Sequence, residues 1–404
     1  MKLLSLALLR IADLRRLAAA TLLNSVGMMG EVVVLGWLAL ELTNSPFLVG
    51  VAMGARALPL FFVGVPAGVL ADQFPRHRLL IATSAGQALT ATAIGLLAVA
   101  GAVTLTHLVA LTLVAGVFRG IEHAARQSYT HDVVGATDLV NGFAVLGVAM
   151  RLGWLVGSLG TGAVIARFGA GVAYLAVAGS FLIAAVSLVR ASAPPGTGRS
   201  APTSMREGVG GFVTAMRADR ALLVLMILTG GAEVLGFSHQ ALLPSLARDV
   251  LHVGPEGLGA LNAARAAGGI LGLVAVSTGM PARRGGPFFL AVLVVFGASL
   301  IVLGLAPHVV GLGGVLAVVL VANAAGALAD LLAQSLMQLA VPSHLRGRAG
   351  GAWVVAIGVA PLGQLQIGAL ASLFGVTIAL GASGAGLAAL AIATALAYPR
   401  VRRL

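Results

Sequence analysis

Predominantly apolar runs long enough to cross a bilayer follow one another down this chain, most of them parted by only a few polar residues. A helix needs ~20 apolar residues to span the hydrocarbon core. Within that core each backbone N–H and C=O must find its partner inside the protein, which favours helices. Twelve segments qualify, roughly 17–42, 47–71, 79–101, 106–129, 139–166, 170–190, 220–246, 258–280, 287–306, 309–338, 349–374 and 376–397. Apolar residues make up 59% of the 404 and charged residues 9%, where a soluble domain carries about 25% charged. A soluble core of this size would have nothing to cover it, so lipid is the solvent to infer. The expected fold is an all-α membrane protein with twelve transmembrane helices. The 55 glycines suit helices packed closely through small residues.

A formal net charge of +12 raises the question of a nucleic-acid partner. The placement of the charges argues against one. With the segments threaded back and forth, Lys/Arg at both termini and around the connections after the second, fourth, sixth, eighth and tenth segments share one side. Arg167 and Arg248 fall in loops on the other side, and Arg56, Arg119, Arg151 and Arg265 lie within segments. This is the positive-inside asymmetry, with both termini cytoplasmic. Met1 to Arg16 reads as a basic amphipathic lead-in on the membrane surface. No secretory cleavage site precedes the first long apolar run, so the start is read as mature sequence.

Residues 191–219, with Pro194, Pro195, Gly196, Gly198 and Pro202 among scattered Arg, read as a flexible cytoplasmic linker. It divides an N-terminal six-helix bundle, 1–190, from a C-terminal one, 220–404. The two halves repeat. Gly157, Gly162, Phe168 and Gly169 match Gly363, Gly368, Phe374 and Gly375 at a displacement of 206. Gly50 and Arg56 match Gly259 and Arg265 at 209, and Asn24 and Gly27 fall opposite Glu233 and Gly236 at the same spacing. Agreement near one displacement implies two similar bundles related by an axis along the membrane normal.

Between the second and third segments runs Gly68-Val69-Leu70-Ala71-Asp72-Gln73-Phe74-Pro75-Arg76-His77-Arg78. This short Arg-rich connection resembles the loop between helices 2 and 3 of the major facilitator superfamily of secondary transporters. Gln73 stands where that family usually has a basic residue, and Pro75 where Gly is common. The second copy, around Gly279-Met280-Pro281-Ala282-Arg283-Arg284, keeps the Arg pair but lacks the Asp. Within the superfamily the chain is similar to the branch holding macrolide-efflux proteins and the enterobactin exporter. The residues that carry this likeness are Glu41-Leu42-Thr43-Asn44-Ser45-Pro46 leading to Gly50, Arg56-Ala57-Leu58-Pro59, Ala125-Arg126-Gln127 and Arg346-Gly347-Arg348.

Ionisable groups within membrane segments are costly and mark candidate sites. The resemblance implies that helices 1, 4, 7 and 10 line a central cavity. Glu31, with Asn24 two turns earlier on the same face, is then a proton or cation-substrate carboxylate, or else a structural partner of Arg151. Helix 4 carries Arg119, Glu122, His123 and Arg126 on one face. Arg119 is positioned to contact an anionic substrate or to hold Glu122. Glu122 is a candidate proton carrier, and the alternative for all four is an internal ion-pair ladder. His123 titrates in a useful range, or it is a hydrogen-bonded filler. Glu233 on helix 7 and Asp330 on helix 10 are further proton-coupling candidates, with a gating role also open to Asp330. The repeated Arg56 and Arg265 read as structural or outer-gate features. At the cytoplasmic ends, Asp72, Arg76, Arg78 and Arg126 form a gating group, in which an Asp72–Arg126 pair facing helix 11 would latch that side shut. Met28 and Met29, with Trp37, Trp154 and Trp353, offer adaptable apolar surface or ordinary packing.

The chain has no Walker loop to bind ATP and no Cys, and its His residues lack ligand spacing. No cofactor, no metal and no enzymatic activity are expected. The expected function, as the resemblance implies, is export of an amphipathic small molecule, a drug or siderophore. It would proceed by alternating access in exchange for protons, by a monomer in the inner membrane of a bacterial-type cell. The alternative is lysophospholipid flipping, or uptake of a small solute or metal chelate, on the same fold.

Overall fold

The computed structural model describes residues 6–191, 220–277, 285–339, 353 and 355–403, without the side chains of 6, 7, 60, 61, 64–66, 68, 69, 71, 72, 136, 140, 276, 277 and 403. Residues 192–219 of the expected linker, Arg283, Arg284, Arg346 and Arg348 lie outside the described residues. The regular elements among those described are all helical. A 3-10 turn at Leu6–Arg10 leads into α1 (Ala12–Thr43), α2 (Pro46–Gln73) and α3 (Arg76–Val99). The helical run Leu105–Leu188 is broken at Gly135 (φ 72°, ψ 172°) and Gly169 (φ 82°, ψ 170°) into α4 (105–134), α5 (136–168) and α6 (170–188). Only glycine adopts such a conformation without strain.

α7 (Arg220–Val250) follows. It begins as a regular helix to Gly231, turns π-helical over Ala232–Gly236, and tightens to 3-10 over Phe237–Leu242. One α-helical turn, Leu243–Ser245, then precedes a second π segment at Leu246–Val250. The remaining helices are α8 (Pro255–Ser277), α9 (Gly285–Leu305), α10 (Leu312–Leu339), α11 (Ala360–Phe374) and α12 (Val376–Ala397). Ten stretches among the described residues are long and apolar enough to cross a membrane, and Pro46–Pro59 is a shorter apolar one.

Two compact units form. The first holds the described residues within Met1–Leu42, Leu58–Pro202 and Leu258–Ala263. The second holds those within Thr43–Ala57, Thr203–Gly257 and Ala264–Leu404. In the first unit α5 crosses α1 where Gly153 and Gly157 leave room for the backbone of Leu22 and Val26. Gly95 of α3 lies against Gly171 of α6, and Gly259 of α8 against Ser158 and Gly162 of α5.

The second unit repeats these crossings. Gly363 of α11 faces the backbone of Val234 in α7, Gly304 of α9 faces the carbonyl of Thr377 in α12, and Gly50 of α2 faces Gln364 and Gly368 of α11. The residue pairs correspond at the displacements of 206 and 209 read from the sequence, save that Val234 stands 208 beyond Val26. Gly375, equivalent to Gly169, takes the same backbone shape (φ 87°, ψ 161°) and joins α11 to α12 as Gly169 joins α5 to α6.

One end of the first unit carries a fully buried apolar cluster. Leu14 and Leu17 at the start of α1 meet Leu80 near the start of α3, Tyr129 near the end of α4 and Leu188 at the end of α6. Arg15, Arg16, Arg76, Arg78, Arg126 and Arg190 flank those same positions in the chain.

Gly157→Leu or Gly363→Leu should cost about 1–3 kcal/mol by overpacking. Gly147→Ala and Gly160→Ala, where an added Cβ meets nothing within 4 Å, should change stability by about 0.5 kcal/mol or less. Thermal unfolding of the purified protein in detergent measures both. Equal losses at Gly147 and Gly157 would remove the role assigned to the crossings.

Candidate functional site

In the first unit the central feature is an ion pair between α1 and α4. Glu31, past the middle of α1, is 4% exposed. Arg119 donates through Nη1 to its carboxylate, forming a salt bridge with both side chains largely buried. Burial strips water from both charges, and the mutual attraction together with a charge-assisted hydrogen bond offsets that loss. Glu31 also lines a crevice with Gln87 and Thr90 of α3 and Tyr174 and Phe181 of α6. The second terminal nitrogen of Arg119, Nη2, is buried with no hydrogen-bond acceptor among the described residues.

The sequence alternatives for these charges resolve differently. Glu31 has Arg119 as a salt-bridge partner, and the guanidinium of Arg151 also stands 5.2 Å from the ring centroid of Trp154 in a cation–π contact. Arg119 reaches across to α1, and Glu122 pairs instead with Arg126 one turn along α4, at 3.4 Å. His123 bonds to Gln127 at 2.8 Å and approaches Arg126 at 3.4 Å. The α4 charges therefore divide, with Arg119 serving α1 and the rest forming a local ladder. Asn24 donates to Ser84 of α3 at 3.1 Å. Met29 and Trp37 are buried in α1, and Trp37 donates to Glu41.

At the Arg-flanked end, Arg76 forms a salt bridge with Asp132 near the close of α4 and reaches the carbonyl of Ser128. Asp132 is 7% exposed in its side chain. Arg78 is exposed. The side chain of Asp72 lies outside the described residues, and the salt-bridge partner of Arg126 is Glu122. Asp132 was missed in the sequence because it follows the apolar part of helix 4. The available signal was its place on the same side as Arg76 once the segments are threaded.

In the second unit, Glu233 of α7 and Asp330 of α10 line one narrow crevice, together with Thr229, Phe237 and Phe289. Trp353 donates to Asp330 at 3.1 Å. One to two turns along α7, His239 is fully buried and meets Asn323 of α10, and Gln240 accepts from Arg265 of α8 at 2.9 Å. Sequence reading had singled out neither His239 nor Asn323. The one hint was a His and an Asn inside apolar runs.

Helices of membrane-spanning length that hold acids and bases in their interiors define a membrane transporter. The chain matches the transmembrane secretion effector family over residues 4–403 and belongs to that family, in the enterobactin-exporter branch of the major facilitator superfamily. It is similar to the enterobactin exporter EntS of Shigella boydii serotype 4, 26% identical over 374 residues, covering 90% of this chain and 86% of that one. The EntS of Citrobacter koseri is 27% identical over 335 residues, covering 80% and 78%. Among solved structures, a POT family transporter in complex with a thioalcohol-conjugated peptide superposes with a TM-score of 0.79 at 12% identity, covering 96% of each chain. A bacterial homologue of the human lysosomal transporter Spinster gives 0.75 at 15% identity, covering 96% of this chain and 97% of that one. These structures show the fold, and the family places the chain among membrane transporters and outside the enzymes.

Arg119→Ala removes the buried cation beside Glu31 and should destabilise the protein by about 3–5 kcal/mol. The double variant Glu31→Leu/Arg119→Met removes both charges and should recover most of that loss. Unfolding of the reconstituted single and double variants measures the difference. A double variant as unstable as Arg119→Ala would show that packing around Arg119, and not the pairing, carries the effect.

Proposed function

We propose that this transporter exports an amphipathic small molecule, of the drug or siderophore kind, by alternating access in exchange for protons. The observation that carries the reading is the set of interior carboxylates, buried on α1 and α4 and half-buried on α7 and α10. Glu31 and Glu122 are held by arginines that can exchange partners, and Glu233 and Asp330 share one crevice. An acid held in this way can gain or lose a proton as its surroundings change, which is the requirement for coupling. The enterobactin exporters among the relatives support an outward direction and a substrate of moderate size. Arg119 Nη2 is the group we assign to an acceptor oxygen of the substrate, with Asn24 and Arg151 on the same two helices as Glu31 and Trp154 in supporting contact. His123 joins the coupling set through Gln127 and Arg126.

The architecture belonging to this reading is twelve spans in two six-helix bundles. The break at Gly169 makes two spans of the stretch Thr137–Leu188, and α2 supplies another over its 28 residues. The bundles are residues 1–190 and 220–404, and 191–219 is the linker. The Arg-flanked end faces the cytoplasm of a bacterial-type cell, with the protein in the inner membrane as a monomer. There Arg76–Asp132, joined by Asp72, Arg78 and Arg126, forms the gate that opens once per cycle.

Efflux from proteoliposomes with and without an imposed pH gradient tests the reading, using lipophilic cations, macrolides, siderophores and lysophospholipids as cargo. Gradient-dependent export of one class is expected. Gln at position 31 still offers Arg119 an acceptor, so Glu31→Gln should fold normally and lose gradient-driven export, and Glu122→Gln should do the same. Normal coupling in both variants would remove these carboxylates from the mechanism. Movement of lysophospholipid without a gradient would favour a flippase.

Asp132→Asn and Arg76→Gln should slow turnover several-fold with little change in KM. Initial rates across substrate concentrations check this. An unchanged kcat in both would exclude the Arg76–Asp132 gate.

A further inference from the structure

Among the described residues, α7 departs from regular α-helical bonding over most of its second half. Such departures leave carbonyls without their usual donor and recur at functional sites. His239 lies inside the 3-10 stretch with 0% of its surface exposed. Its Nδ1 stands 2.7 Å from the carbonyl oxygen of Gly236. A carbonyl only accepts, so Nδ1 carries the hydrogen and Nε2 presents its lone pair. That lone pair meets Nδ2 of Asn323 on α10 at 3.3 Å, and the same amide nitrogen donates to the carbonyl of Val319 at 2.9 Å. The imidazole therefore joins the distorted part of α7 to α10 through a neutral ring whose tautomer is set by the backbone.

The neighbours make this junction more than a packing detail. Glu233 and Asp330 face one crevice, and His239 and Asn323 meet further along the same two helices in the opposite residue order. α7 and α10 thus run antiparallel with two facing polar pairs between them. Around His239 the charged groups are Arg265 from α8, Asp330 on α10 two turns from Asn323, and Glu233 on α7 itself. α9 contributes the edge-on ring of Phe296, centroid to centroid 6.1 Å.

We propose that His239 Nε2 is a further proton-binding site of the transporter, with Asn323 the residue through which α10 responds to its protonation. One proton adds to the Nε2 lone pair, the ring becomes imidazolium, and no other bond to the ring changes. Two N–H donors then face each other. The Asn323 amide rotates to present Oδ1 to the new N–H and withdraws Nδ2 from Val319. Loss of the proton on the other side of the cycle restores the bonds seen here. This site rests on the proton-exchange reading above and adds a member that the carboxylates do not supply.

Nitrogen NMR of histidine-labelled protein in lipid nanodiscs reads the site directly, with the signal identified by its loss in His239→Gln. The expected result is a neutral ring protonated at Nδ1 that converts to imidazolium as the pH is lowered. In proteoliposomes at equal pH inside and out, His239→Gln should weaken the pH dependence of solute exchange. Asn323→Leu should shift the titration midpoint of His239, and it supplies the test if His239→Gln fails to fold. A His239 signal that never titrates, or an Asn323→Leu midpoint equal to that of the parent, overturns the proposal. If His239 titrates while export ignores a pH gradient, the proton-exchange reading fails, and the His239 site stands as a pH-sensitive contact between α7 and α10.

Discussion

Helices in lipid gain nothing by hiding apolar side chains from one another, because the acyl chains are just as apolar. Their association rests on close contact, and contact is closest where a residue has no side chain. The positions of the charged groups depend on this constraint. Gly153 and Gly157 set α5 against α1 at Leu22 and Val26, between Asn24 and the turn below it and within two turns of Glu31. Gly363 sets α11 against the backbone of Glu233 and Val234 in α7. In both units the glycine crossing clamps the helix beside its polar residue and leaves the opposite face for α3, α4 and α6, or for α9 and α10.

Given that scaffold, the interior charges are arranged so that few are isolated. Glu31 has Arg119, Glu122 has Arg126, and Asp132 has Arg76. A carboxylate without a cation in a medium this apolar favours its protonated form or a cation brought from outside. The crevice of Glu233 and Asp330 is different, because it brings two acids together. A pair of acids in one small space holds a proton between them more readily than two separate charges. The two units thus place their interior acids differently, one beside arginine and the other in a shared crevice with the indole of Trp353.

Hydropathy located the helices because a bilayer imposes a length, and the repeat was legible because glycine at a crossing cannot be exchanged for a larger residue without moving a helix. The matched bends at Gly169 and Gly375 are the clearest case. What hydropathy could not convey was rotation. Arg119 was read as a partner for Glu122 or a substrate, and only the roll of α4 about its axis brings it to Glu31 on α1. Bonding pattern was equally hidden. The sequence 232–250 reads as an ordinary apolar run, yet its backbone passes through π and 3-10 forms, and the role of His239 follows from that local geometry. Asp132 was overlooked for a third reason, since it sits at the margin where apolar periodicity ends.

The same displacement of 209 that aligns the crossings also aligns the polar heights of α1 and α7, and there the symmetry stops. Asn24 is neutral and bonded to Ser84, while its counterpart Glu233 is an acid in a crevice. Glu31 is an acid in an ion pair, while its counterpart Gln240 is a neutral acceptor for Arg265. Each repeat thus places an acid in the interior of its first helix, but at a different depth. A backbone that repeats allows two arrangements of similar energy, which a carrier needs if it is to visit both. Charges that do not repeat let a proton favour one arrangement over the other, and a bias can arise only from such a difference. On the proton-exchange reading proposed above, the duplicated glycines would supply the near-equality of states, and the unequal placement of Glu31 and Glu233 the means to drive them in one direction.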